Sequence, residues 1–156
     1  MAKLNYGVDS RLGPEPILSA TVDFSERRPE IWPSISRKFY RVHGLGDCCA
    51  EVTEGSDVMG GMWARERYDW TSPGVVRATI QDSNVFKKGG VWELRALPNG
   101  SGGTRIEVLN HRQAKGLRGH VIGALLQVSG RKMLTESLAQ TVDIVERDEL
   151  QKVAPK

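Results

Sequence analysis

The sequence predicts an α+β domain: a curved antiparallel sheet of six or seven strands around a long C-terminal helix, with two short helices after the first strand. Three observations carry this. Between Lys38 and Asn110, short apolar-rich runs alternate with Gly- and Pro-rich turns, the mark of an antiparallel meander. From Leu117 to Arg147 there is no proline, and Leu, Val, Ile, Ala and Met recur at helical spacing. Before the meander, Gly13-Pro14 and Pro33 bracket two short segments with helical start and stop signals.

Taken in order, Leu4, Tyr6 and Val8 alternate with Lys3, Asn5 and Gly7, so Lys3 to Arg11 reads as a strand. Pro16 to Phe24 fits a short helix, since proline is tolerated in a first turn. Ser25 can cap a second helical turn that ends near Ile31-Trp32, ahead of Pro33. Strands follow at Phe39–His43, Cys48–Thr53, Met62–Trp70, Val75–Gln81, Val91–Leu97 and Thr104–Asn110. Ser72-Pro73-Gly74, Gly89-Gly90 and Pro98–Gly103 supply the clearest turns between them. The final helix should run for roughly thirty residues, or ~45 Å. Residues 1–148 are expected to form a single domain and residues 149–156 a charged, frayed tail.

Composition narrows the function classes. Hydrophobic residues make up 39 % and charged residues 26 % of the 156, which is ordinary for a globular protein. No apolar run approaches the ~18 residues needed to span a bilayer, and the first residues lack a signal-peptide core, so a cytoplasmic protein without integral membrane contact is expected. The formal net charge of +3 is spread along the chain rather than gathered in a basic stripe, which argues against nucleic acid as a partner. The adjacent Cys48 and Cys49 would point to opposite faces of a strand and are expected to stay unbridged. His43, His111 and His120 lie on separate elements without ligand spacing, so no metal is expected. No phosphate-binding or dinucleotide fingerprint is present, and no cofactor is expected.

Several short motifs stand in a recognisable order: Pro14-Glu15-Pro16, Arg28-Pro29-Glu30-Ile31-Trp32-Pro33, Val91-Trp92-Glu93-Leu94 and Gly103-Thr104-Arg105-Ile106. With the order of elements, they resemble the helix-grip superfamily of START-like, SRPBCC and polyketide cyclase/dehydrase-like proteins, over roughly Lys3 to Val145. The resemblance implies a ligand cavity between sheet and helix. It does not imply a reaction, because one scaffold hosts many functions.

Strand parity selects the cavity-facing residues. On the fourth strand the more apolar set is Met62, Ala64, Glu66, Tyr68 and Trp70. The same reasoning turns Val76, Ala78 and Ile80 inward, then Trp92, Leu94 and Ala96, then Ile106, Val108 and Asn110. Apolar walls with a few polar groups suit a small-molecule site. Glu66 and Tyr68 are the catalytic candidates, because burial would raise the carboxyl's pKa and fit it to act as a base. The competing reading is a structural carboxylate paired with Arg65, Arg67 or Arg95 where the strand bends.

On the helix, Gly116, Gly123 and Gly130 recur every seven residues, with Gly119 on the same side. Each interior glycine costs about 0.5–1 kcal/mol against alanine, so close packing or space for a ligand must offset it. Gly119, Ile122, Gly123, Leu126 and Gly130 complete the expected ligand-binding wall, and Met133 and Leu134 the buried face. Leu117, Val121, Leu125 and Val128 make the helix's first half apolar all round, to be covered by loops and short helices or by a homodimer contact, with the first the favoured cover. The expected function is binding of an apolar or aromatic, lipid- or polyketide-like molecule. The alternatives are a polyketide cyclase/aromatase-type enzyme and a quinone-binding or toxin-like interaction module.

Overall fold

A computed structural model describes residues 2–153. Strand β1 (Ala2–Ser10) is followed by helices α1 (Pro14–Thr21) and α2 (Arg28–Ile31). Strands β2 (Arg41–Leu45), β3 (Cys49–Ser56), β4 (Met62–Asp69), β5 (Val75–Ser83), β6 (Val91–Pro98) and β7 (Thr104–Arg112) come next. The chain ends in helix α3 (Gly116–Leu125), a π-helical segment at Leu126–Gly130, and helix α4 (Arg131–Val153). All seven strands pair antiparallel in one open sheet of order β1-β7-β6-β5-β4-β3-β2. The meander places sequence neighbours side by side, and β1 closes onto β7 over its whole length, from Ala2 opposite Arg112 to Ser10 opposite Thr104.

Local chemistry explains most boundaries. Gly13 enters α1 in extended backbone and Pro14 takes the first helical position, where its missing N–H costs nothing. In α2 Pro29 takes the second helical position, still within the first turn. β2 starts two residues later than its apolar run, because Arg37–Phe39 form a 3-10 turn. That turn puts Phe39 against two glycines: an added Cβ would overlap the Phe39 Cβ at Gly55 and the Phe39 ring at Gly61. Every side chain of β2 is exposed, as suits an edge strand.

The core lies between the sheet's inner face and the helices, in three clusters. Leu138, Val142 and Val145 of α4 and Ile17 of α1 meet Tyr6, Leu94, Ile106 and Val108 of the sheet. Phe24 covers Ala50, Val52, Tyr68, Val76 and Ala78. At the other end, Ile122 meets Ala64, Ile80, Val85 and Phe86. A fully buried aliphatic side chain of this kind contributes about 1.5–3 kcal/mol.

The long C-terminal helix is present from Gly116 to Val153, but its winding differs from expectation. It is not one regular helix: the π-helical segment divides it. Helix α4 continues past residue 149 to Val153. Polar contacts tie the helix down just before residue 149. Glu146 accepts from the Ser10 hydroxyl (2.9 Å) and the Arg11 backbone N–H (3.1 Å), and Asp148 pairs with Arg27 (3.0 Å).

Candidate functional site

The inner face of the sheet is a grid of cross-strand rows. One row runs Ala50, Tyr68, Ala78, Trp92, Asn110 and Leu4, each opposite the next. Beside it, Val76, Leu94, Val108 and Tyr6 form a second row. On the other side, Val52, Glu66 and Ile80 lead towards Gly90 and Arg112. All four sets assigned inward by parity lie on this face: Ala64, Glu66 and Tyr68; Val76, Ala78 and Ile80; Leu94 and Ala96; Ile106 and Val108 are buried, with Trp92 and Asn110 half-buried.

Glu66 is buried, and its partner is Arg112 of β7 rather than Arg65, Arg67 or Arg95. Arg112 Nη2 donates to Glu66 Oε1 at 2.6 Å. β5 and β6 separate the two residues, so Arg112 must reach across them. Gly90 opens the path: a Cβ there would sit 3.1 Å from Ile80 Cδ1 and 3.3 Å from Arg112 Cγ. Burial pushes the Glu66 carboxyl above the usual carboxylate range, and Arg112 pulls against that shift without cancelling it. The guanidinium lies 5.3 Å from the Phe86 ring centroid. Its Nε is buried with no hydrogen-bond partner among the described residues.

Tyr68 belongs to a second polar group that sequence reasoning missed, made with Arg28 and Glu54. Arg28 comes down from α2, is 2 % exposed, and donates from Nε to Glu54 Oε1. Its Nη1 donates to the carbonyl oxygens of Thr21 (3.0 Å) and Asp23 (3.2 Å), and its Nη2 to the Tyr68 hydroxyl (3.2 Å). The Tyr68 hydroxyl in turn donates to Glu54 Oε2 at 2.8 Å. Burial, then the Glu54 charge, push the Tyr68 hydroxyl well above its ordinary value. The same guanidinium lies 4.4 Å from the Phe24 ring centroid. Tyr40 borders the group with a buried hydroxyl that has no partner among the described residues, pushed up to about 12 by burial. Tyr68 is thus locked by two partners, and its phenol is ill suited to move protons. Parity did contain a signal for Glu54, which follows the buried Ala50 and Val52 at period two, and for Arg112, which follows Ile106, Val108 and Asn110.

Trp92 and Asn110 face each other across β6 and β7, with the Trp92 indole hydrogen-bonded to Tyr6. Burial pushes the Tyr6 hydroxyl up. Above this strip the helix contributes buried Ile122, Gly119 and Gly130, and half-buried Gly123 and Leu126. The glycines differ among themselves. A Cβ on Gly119 would run into the Val85 carbonyl oxygen, and one on Gly130 would meet Leu126 at 3.1 Å and Leu4 at 3.4 Å. A Cβ on Gly123 would touch only Ala114, at 3.8 Å, and Gly116 is open with φ of 72°. Gly119 and Gly130 therefore serve close packing.

The expectation of a ligand cavity between sheet and helix meets a different finding. The void between α1, α4 and the sheet, lined by Ile17, Leu94, Ile106, Leu138, Thr141 and Val142, measures about 10 Å3. That is about the room one water needs, and the buried Thr141 hydroxyl beside it has no partner among the described residues. A hollow of about 450 Å3 does exist, but it is an open polar groove whose lining includes the outward-facing Arg67, Arg77, Glu93 and Arg95. There Glu93 is already held by Arg95 (2.8 Å) and Arg77 (3.4 Å). Among the described residues no three His, Cys, Asp or Glu side chains converge as metal ligands, and Cys48 and Cys49 are both free thiols. No helix among them is long and apolar enough to cross a membrane.

No protein-family model matches the chain, and no curated protein does. Solved structures match over nearly its full length. The Zhui aromatase/cyclase from Streptomyces sp. R1128 is similar at 14 % identity, covering 94 % of each chain, with a TM-score of 0.77. A START superfamily protein from Mycobacterium smegmatis is 18 % identical over 93 % of this chain and 97 % of its own, with a TM-score of 0.71. Norcoclaurine synthase from Thalictrum flavum, solved with dopamine and hydroxybenzaldehyde, is 10 % identical over 99 % of this chain and 89 % of its own, with a TM-score of 0.68. This similarity, together with the seven-stranded antiparallel sheet, the two short helices after β1 and the long closing helix, shows that the chain has the helix-grip fold.

Proposed function

We propose that the protein binds an aromatic or apolar small molecule against the strip formed by Trp92, Asn110 and Arg112, beneath α3 and the π-helical segment. The observation that carries this reading is Arg112. Its guanidinium is held by Glu66 on one side, while its buried Nε is left without a partner in an otherwise apolar setting. A buried donor without an acceptor costs about 1–3 kcal/mol, and a ligand oxygen would remove that cost. Trp92 and Asn110, half-buried on the same face, offer a ring to stack on and an amide to orient a polar substituent. The described conformation is closed, so binding requires the helix to yield. The π-helical segment and the open Cβ position at Gly123 are where it can do so at least cost.

Titration with 8-anilinonaphthalene-1-sulfonate, read by probe emission and by quenching of tryptophan emission, tests this, alongside native mass spectrometry for a co-purifying molecule. Saturable uptake that Gly123→Leu abolishes in a folded protein is expected. No saturable uptake, or undiminished uptake by folded Gly123→Leu, refutes the reading.

An aromatase/cyclase-type activity is a second reading, favoured by one observation: Glu66 is a buried carboxyl whose proton affinity is raised. It requires a substrate to displace or share Arg112. Conversion of a poly-β-ketone analogue by the wild type but not by Glu66→Gln, with ligand uptake retained, would be its signature.

A further inference from the structure

Contiguous large apolar side chains on a surface mark a contact. The outward side of α3 and of the turn after it carries four: Leu117, Val121, Leu125 and Val128 are 84 %, 41 %, 53 % and 88 % exposed. At helical spacing they form one ridge about 16 Å long. The loops expected to cover it do not. Nor can the helix roll the ridge inward, because its other side is fixed by buried Ile122 and by Gly119 against the Val85 carbonyl. Arg118 extends the patch. Its Nη2 donates to the carbonyl oxygens of Met59 (2.6 Å) and Gly61, which draws the turn at Val58–Gly60 against α3. Val58 and Met59 in that turn are exposed as well, and Met59 sits at φ of 50°, a region unfavourable for a residue with a side chain.

Charge selects the occupant. No acidic residue occurs from Val108 to Thr135, whereas Lys115, Arg118, Arg131 and Lys132 in that stretch are exposed. Lys87 and Lys88 add to them from the loop that the Lys87 N–H ties to the Gln113 carbonyl at 2.8 Å. A second copy docking through the same ridge would bring these like charges together. An anionic surface would neutralise them. An apolar ridge flanked by cations is what an interfacial helix presents to a charged bilayer. We propose that the outer side of α3, with the Val58–Met59 turn, docks the protein peripherally on an anionic lipid bilayer. This contact is independent of the small-molecule site on the inner face.

Flotation of the full chain with vesicles tests the docking. One set is phosphatidylcholine with about 30 % phosphatidylglycerol, an anionic surface, and the other is phosphatidylcholine alone. Binding to the anionic vesicles should exceed binding to the neutral ones by about tenfold and fall at high salt. The variant Leu117→Ser/Val121→Ser/Leu125→Ser should lose it, and so should Arg131→Glu/Lys132→Glu, both with unchanged circular dichroism. All altered side chains are exposed, so the fold has no reason to fail. Absence of vesicle binding, equal binding to neutral vesicles, or full binding by either folded variant overturns the proposal. So does a dimer in sedimentation velocity that the serine variant dissociates while vesicles go unbound, which would assign the ridge to a second copy.

Discussion

Replacing Arg112 with methionine separates the charge on Glu66 from the packing around it. Methionine keeps the apolar stem over Gly90 but leaves the Glu66 carboxyl without its partner. The Glu66 side chain is 4 % exposed and that of Arg112 18 %, so this is a buried pair with limited water access. Breaking a buried pair costs about 3–5 kcal/mol, and the partial exposure of Arg112 puts the expected loss near the lower end, about 3 kcal/mol at pH ~8. For a chain of this size that is a fall of about 6–12 °C in Tm. The loss should depend on pH in a particular direction. Burial raises the folded-state pKa of Glu66, so the folded protein holds this proton more tightly than the unfolded chain does. Stability contributed by this group therefore declines as pH rises from the unfolded carboxylate range through the folded value. Removing Arg112 removes the pull that opposes the shift, so the folded value moves further up and the decline extends to higher pH. At pH ~4 the carboxyl is largely protonated in the variant, and the loss against wild type should shrink. Urea unfolding at both pH values, with carbon-detected NMR titration of the Glu66 carboxyl, measures this. An equal loss at both pH values, or a Glu66 carboxyl titrating in the usual range, would refute the reasoning.

Three further outcomes are expected. Glu54→Gln should lower stability by about 3–5 kcal/mol in urea with little change in m, because it strands the buried Arg28 guanidinium without an anion; a loss below about 1 kcal/mol would mean another anion serves Arg28. Gly119→Ala should cost about 1–3 kcal/mol through overlap with the Val85 carbonyl, whereas Gly123→Ala should be neutral or gain up to about 1 kcal/mol; paired thermal melts with the opposite ranking would show that α3 does not approach the sheet as described. Leu138→Ala, on the buried side of α4 in the largest core cluster, should cost about 2–5 kcal/mol, and a near-zero effect would mean that α4 does not grip the sheet there.

The strands and their inward faces were legible because burial on one side imposes period two. Tyr68, Ala78, Leu94 and Val108 each sit where that parity puts them. The polar partners were not legible, because pairing on this face is long-range. Glu66 is served from β7 along a path that Gly90 clears, and Glu54 is served by Arg28 from a Pro-flanked turn whose docking no local pattern encodes. The volume between helix and sheet was also hidden. A glycine permits both contact and space, and only the approach of Val85 to Gly119 and of Leu4 to Gly130 decides in favour of contact. The exposure of Leu117 and Val128 was undecidable from apolar periodicity, which says that a face is greasy and not what lies over it.

The five residues Leu126–Gly130 act as a phase shifter between two halves of one rod. A π turn holds one residue more than the α turn it replaces, so everything upstream is rotated by about 100° about the axis relative to a continuous helix. Deleting a single residue there, Ser129 for example, would restore the regular winding and re-index Leu117, Val121 and Leu125 relative to the α4 contacts of Leu138, Val142 and Val145. Which side chains face outward on α3 is therefore set by the length of the chain between its two anchors as much as by the residues on it. Over a long span, an insertion or deletion of one residue in that segment would switch the outward surface while leaving every residue of α3 unchanged.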